Sequence, residues 1–281
     1  MSTRRPHRWL RAAANLALIA ALLFAFSFLP PDTSLKARQE AGVLKLCVPP
    51  SYPPLVTGDP EEPGFDIELA QHIAQSIGVR LIVNALPSIG RDFNPRNWQL
   101  SRAQCDMIAG GLTDTLQTRG FLQTIPTSAE TGWVALAPQG KLPGPGAAAA
   151  VLPGSSGLDR LALSSWLRAQ GLRPILVSSP DELVRALTEG RAQVGFTERF
   201  AASSIASLPP DITLSWLSAQ DLPRYGMALG LWKGDQTLMR AVQAAMDELK
   251  QSGTLDKLRE RYGLAGVLPE QGSLSQTAKA I

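Results

Sequence analysis

The residues of this chain best suited to chemistry cluster between Cys105 and Phe121, a stretch that reads CDMIAGGLTDTLQTRGF. Asp106-Met107-Ile108-Ala109 reads as a buried strand of a parallel sheet, because it is a brief apolar run closed by Gly110-Gly111. A strand that ends in glycines exposes its backbone amides. Thr113, Thr115 and Thr118 add hydroxyls, and Arg119 adds a rigid fork of donors that matches a carboxylate bidentately. At the carboxyl end of a parallel strand this is the chemistry of anion capture. The same residues also fit a surface turn carrying a solvated arginine. Two further candidates lie downstream. Pro153-Gly154-Ser155-Ser156-Gly157 puts free amides and the Ser155 and Ser156 hydroxyls at a helix N-terminus, without the lysine and spacing of a phosphate loop. Glu198 closes the buried run Gln193–Thr197. The histidines are His7 and His72, so the sequence offers no His/Cys cluster of the kind a metal centre needs, and no cofactor is expected.

The elements that must position these groups follow an α/β pattern. Val43–Val48 reads as a first strand. Its continuation, Pro49-Pro50-Ser51-Tyr52-Pro53-Pro54, lacks ladder donors and must be a loop at the strand's carboxyl end. Phe65, Leu69, Ile73 and Ile77 recur at steps of four and predict an amphipathic crossover helix stopped by Gly78. Arg80–Leu86 is a second strand, and Pro87–Gln99 an irregular loop with a short helix near Trp98. After Phe121 the chain runs through Ile125-Pro126-Thr127 into the strand Gly132–Ala137 and a Gly/Pro-rich loop, 140–146. A second unit then begins with Val151-Leu152, a helix carrying Leu158, Leu161, Trp166 and Leu167, and the strand Pro174–Val177. Ser179-Pro180-Asp181-Glu182 is a capping box with proline at the first helical position. Late strands at Leu214–Leu217 and Gly226–Trp232 and helices at Thr237–Lys250 and Thr254–Tyr262 complete the pattern.

The amino terminus predicts export. Arg4, Arg5, Arg8 and Arg11 precede the uncharged apolar run Ala12–Leu29, the layout of a signal peptide. Cleavage after the Ala25-Phe26-Ser27 triplet would start the mature chain near Phe28; a retained N-terminal transmembrane anchor is the alternative. The whole chain has 27 Lys+Arg and 24 Asp+Glu, and discounting those four arginines leaves 23 against 24. The exported part is close to neutral, which argues against a nucleic-acid footprint. An even count of two cysteines, Cys47 and Cys105, in an oxidising compartment favours a disulfide if the strands bearing them are neighbours; two separately buried thiols are the other reading.

The order GFDIELAQHIAQSIGV, CDMIAGGLTDTLQTR, a glycine-serine turn before a helix, AQVGFTE, YGMALGLWKGD and ELKQSGTLDKLRERYG resembles family 3 of the bacterial extracellular solute-binding proteins, over roughly residues 41 to 265. The resemblance implies a two-lobed periplasmic binding protein type II fold with a hinge of two crossover strands. The lobes would comprise residues 41–135 with 226–265, and residues 136–225, preceded by the export segment 1–31 and followed by a flexible tail, 266–281. Carried over by position, Arg119 would bind a ligand carboxylate, one residue further from the strand end than the pattern has it. Gly111 and Thr113 would add backbone and hydroxyl contacts, Ser155 and Ser156 would meet the same carboxylate, Glu198 would meet an amine, and Tyr52 would form an aromatic wall. Pro49 departs from the pattern, which often has an acid there. LKLCVPP with AQCDMI is similar to a subgroup associated with periplasmic quinoprotein dehydrogenases.

Three function classes follow. A binding protein for a small carboxylate or amino-acid-like ligand, serving an ABC transporter permease, needs only convergent polar groups in a cleft. A sensor or accessory protein of a quinoprotein dehydrogenase system could use the same lobes. A dehydratase-like enzyme needs a poised acid or base, and Glu198 is the one evident candidate, so no enzyme is expected.

Overall fold

The computed structural model describes residues 6–26, 31–90, 94–153, 158–205, 207–266 and 268. Ser155 and Ser156, the expected mature start near Phe28 and most of the expected tail lie outside them. Residues Met1–Thr33 form a unit of their own, whose helix α1 spans Pro6–Phe26. Among the described residues no helix is long and apolar enough to cross a membrane, so the expected anchor has no support in the structure.

The unit from Ser34 onward is built on two five-stranded sheets. The first contains β1 (Val43–Val48), β2 (Arg80–Ala85), β3 (Met107–Ile108), β4 (Leu122–Thr131) and β10 (Tyr225–Trp232), in the order β2-β1-β3-β10-β4. The second contains β5 (Trp133–Pro138), β6 (Ala148–Val151), β7 (Arg173–Leu176), β8 (Val194–Glu198) and β9 (Ile212–Trp216), in the order β7-β6-β8-β5-β9. In each sheet three strands run parallel: β1 with β2 and β3, and β6 with β7 and β8. The other two close the sheet antiparallel, since β10 opposes β3 and β4, and β5 opposes β8 and β9. The result is a two-lobed α/β fold. β4 passes into β5 through Gly132, where an added Cβ would stand 3.2 Å from both Arg224 and Trp216 side-chain atoms.

The expected helices form where their apolar stripes can be buried. α3 (Phe65–Ile77) buries Phe65, Leu69, Ile73 and Ile77 against the first sheet's core, with Gly78 as its left-handed cap. α5 (Arg160–Ala169) and α6 (Pro180–Thr188) cover the second sheet; Ser179 caps α6 by accepting from the Glu182 amide at 3.1 Å. α8 (Gln236–Gln251) and α9 (Thr254–Arg261) return to the first lobe's core. Four features differ from expectation. α2 (Ser34–Ala41) has no apolar stripe to announce it and is fixed at its start, where the Thr237 hydroxyl accepts from the Leu35 amide at 3.1 Å. The threonine-rich turn after Thr115 is a short helix, α4 (Leu116–Phe121), followed by β4, and α7 (Arg199–Ser203) follows Glu198 directly.

Cys47 on β1 and Cys105 just before β3 are bonded, with Cα atoms 5.4 Å apart. Both are fully buried in a small core with Ile89, Trp98 and Trp232. The bond closes a separation of 58 residues. Replacing both cysteines by serine and alanine should therefore cost about 4 kcal/mol in a denaturant titration on the chain-entropy account. Asp66, in the first turn of α3, is 2 % exposed and its Oδ2 accepts from the Gly110 amide at 2.7 Å. Burial raises its pKa from 3.8 to about 7, with that amide pulling the other way. Between these values the fold binds a proton that the unfolded chain does not, so this carboxyl lowers stability as pH rises and its full cost is present above about 7. Asp66→Asn should accordingly gain stability relative to wild type as pH goes from about 5 to about 8, measured by urea unfolding across that range.

Candidate functional site

The carboxyl ends of the parallel strands of the two lobes frame two neighbouring cavities. One, of about 340 Å³, is lined from the first lobe by the 49–52 loop, Pro87, Ile89, Gly90, Gly110 and Gly111, and from the second by Arg160. The other, of about 470 Å³, has Tyr52 and Pro53 on one side and Leu152, Pro153, Val177, Ser178, Phe200 and Ala201 among those on the other. Tyr52 lines both and is their common wall.

Local chain chemistry explains how this wall stands. The prolines after Val48 end the strand, and the chain turns so that the Tyr52 amide donates to the Val56 carbonyl at 2.6 Å. Gly110 and Gly111 adopt φ values of +72° and +110°, which favour glycine. A Cβ on Gly110 would lie 2.5 Å from Pro49, and one on Gly111 3.4 Å from the Tyr52 ring. The ring is 4 % exposed and meets Phe200 of the second lobe edge-on, with centroids 5.6 Å apart.

Behind Tyr52 lies Glu198, with no solvent exposure. Its Oε1 accepts from the Thr131 hydroxyl at the end of β4 and its Oε2 from the Ala201 amide at 3.0 Å, while the Phe200 amide and the Tyr52 hydroxyl favour its charged form. Burial raises its pKa, and these four groups hold it down. A carboxylate so matched satisfies its own lone pairs within the protein. Among the described residues no Asp or Glu lines either cleft cavity, and Arg160 is the charged side chain that does.

Thus the structure brings Tyr52, Gly111 and Glu198 together, with Glu198 capping α7 rather than lining a cavity. Thr113 is buried and forms a backbone bridge with Met227. Arg119 lines neither cavity; its Nε and Nη2 donate to Asp114 at 2.7 and 2.6 Å, and Asp114 also accepts from the Thr124 hydroxyl at 2.7 Å. The Arg119 bonds hold the Asp114 carboxyl below its usual range. Arg160 was not among the expected residues; its signal was a cation opening a helix just beyond a strand-end turn.

A sequence profile of the bacterial extracellular solute-binding proteins, family 3, matches residues 44–265. The chain belongs to this family. It is 24 % identical over 268 residues to the membrane-bound lytic murein transglycosylase F of Photobacterium profundum, covering 90 % of this chain and 50 % of that protein. The chain spans about half the length of the curated transglycosylases it matches. Among solved structures, an ancestral cationic amino acid solute-binding protein superposes with a TM-score of 0.62 at 19 % identity, covering 82 % of this chain and 99 % of that one. The amino acid ABC transporter substrate-binding protein AbpA of Streptococcus pneumoniae, bound to L-arginine, gives 0.55 at 18 % identity, covering 82 % and 98 %. These likenesses establish the fold as that of the type II periplasmic binding proteins, and the family establishes a solute-binding role.

The Tyr52 hydroxyl, from the first lobe, favours the charged form of the buried Glu198. Tyr52→Phe, which keeps the ring against Phe200 and removes the hydroxyl, should lower unfolding stability by about 0.5–1.5 kcal/mol, read by chemical denaturation.

Proposed function

We propose that this protein captures a small carboxylate lacking an ammonium group in the cleft beside Tyr52, outside the cytoplasm, and presents it to an ABC transporter permease. The observation that carries this reading is the charge of the cleft: Arg160 lines it, while Glu198 is enclosed by its own donors. An ammonium leaves water at little cost only where a carboxylate or several acceptors receive it, whereas a carboxylate ligand finds a guanidinium and the Ser51 hydroxyl nearby. Family membership, the leader-like amino terminus and the disulfide support a place outside the cytoplasm. The transporter is supported by the description of the superposed AbpA. Binding without turnover is favoured because a general acid or base must reach its substrate, and Glu198 lines neither cavity.

Calorimetry with matched ligand pairs tests this: an amino acid, and the 2-hydroxy or 2-oxo acid of the same skeleton. The amine-free acids should bind about tenfold tighter or better, a difference of roughly 1.4 kcal/mol. Arg160→Gln should cost about 1.5–3 kcal/mol in that affinity, while Arg119→Lys should leave it nearly unchanged. The reverse pattern would return the clamp to Arg119, and tighter binding of the amino acids would overturn the proposed ligand class.

A further inference from the structure

Three arginines from three elements converge on another cavity, of about 440 Å³, which shares no lining residue with the two cleft cavities. Arg199 comes from α7, Arg224 from the connection into β10, and Arg259 from α9. Trp216 at the end of β9 organises two of them: the guanidinium carbons of Arg199 and Arg224 lie 5.4 and 4.6 Å from its ring centroid. Arg199 also donates to the Glu130 carbonyl at 3.0 Å and to the Gly266 carbonyl at 3.4 Å. Arg259 meets Asp256 of its own helix at 3.3 Å through Nη1, while its Nε is buried without a hydrogen-bond partner among the described residues.

Among the described residues three guanidinium groups thus face one lining carboxylate, that of the exposed Glu130. Burial lowers the Arg199 pKa, and Arg259 adds to that while Glu130 and Glu198 oppose it. Like charges gathered in a partly desolvated space repel unless an anion joins them, and planar guanidinium forks suit an oxyanion with several acceptor oxygens. We propose that this cavity binds a small doubly charged oxyanion of the phosphate or sulfate class, held by Arg224 and Arg259 with Arg199 behind them. Arg259 belongs to a helix packed on the first lobe's core, and Arg199 and Trp216 belong to second-lobe elements, so the ion would tie the lobes together beside the hinge. It would also bear on the cleft, because Arg199 lines this cavity and its neighbour Phe200 lines the other.

The test is a titration of the full chain with inorganic phosphate near neutral pH, followed by thermal unfolding and calorimetry, against chloride at matched ionic strength. Saturable binding and stabilisation are expected. The double variant Arg224→Gln/Arg259→Gln should weaken the apparent affinity about tenfold or more, whereas Arg160→Gln in the cleft should leave it unchanged. Should the double variant fail to fold, Arg224→Lys and Arg259→Lys, which keep the charge and lose the fork, should each bind phosphate more weakly than wild type. Stabilisation that does not saturate, or that survives in the variants undiminished, is general salt exclusion and overturns the proposal. Loss in Arg160→Gln alone would place the ion in the cleft and overturn it as well.

Discussion

A carboxylate withdrawn from water must be surrounded by donors, and the donors that Glu198 requires fix much of this structure. They come from the end of β4 through the Thr131 hydroxyl and from the first turn of α7 through the Ala201 amide, and the Tyr52 hydroxyl of the first lobe's proline-rich loop favours the charge. Because one group is answered from the end of β4 and from α7, these two cannot part without orphaning it. Tyr52, its ring held edge-on by Phe200, is the partition of the cleft. The same demand leaves the space in front of Tyr52 without this acid, so the character of the cleft and the integrity of the hinge have a common origin.

Much of the architecture was legible in the sequence where a single physical rule governs. The four-residue spacing from Phe65 to Ile77, the stop at Gly78, the Ser179-Pro180 cap and the pairing of Cys47 with Cys105 are such cases. β4 was not read because its inward positions after Ile125 are Thr127, Ala129 and Thr131, small or polar residues buried against β10, and because Pro126 interrupts the run. α2 escaped because a short polar helix held by its end to α8 carries no periodic signal. The antiparallel closing strands of each sheet are a matter of connection, which local pattern does not encode.

The site was legible in part, and for a reason that applies to individual residues. Tyr52 and Gly111 are placed by backbone rules, a proline-ended strand and a glycine-ended one, and these rules are local. What Arg119 and Glu198 do depends on what else stands near them. Asp114, five residues before Arg119 and just ahead of the Thr115 cap, takes the fork that a ligand was expected to fill. Arg160 reaches the cleft only because the second lobe faces the first, a relation between lobes that spacing along the chain does not carry.

The strand order has a bearing on how the molecule is assembled. All strands of the second sheet come from one uninterrupted stretch, Trp133 to Trp216. The first sheet instead needs β10, residues Tyr225–Trp232, to stand between β3 and β4. Until that late strand is made, β3 keeps an open edge and β4 has no neighbour in its sheet. A chain emerging from its amino end can therefore complete the second lobe while the first, begun earlier, still waits for the strand that joins β3 to β4. In this protein the lobe that starts first finishes last.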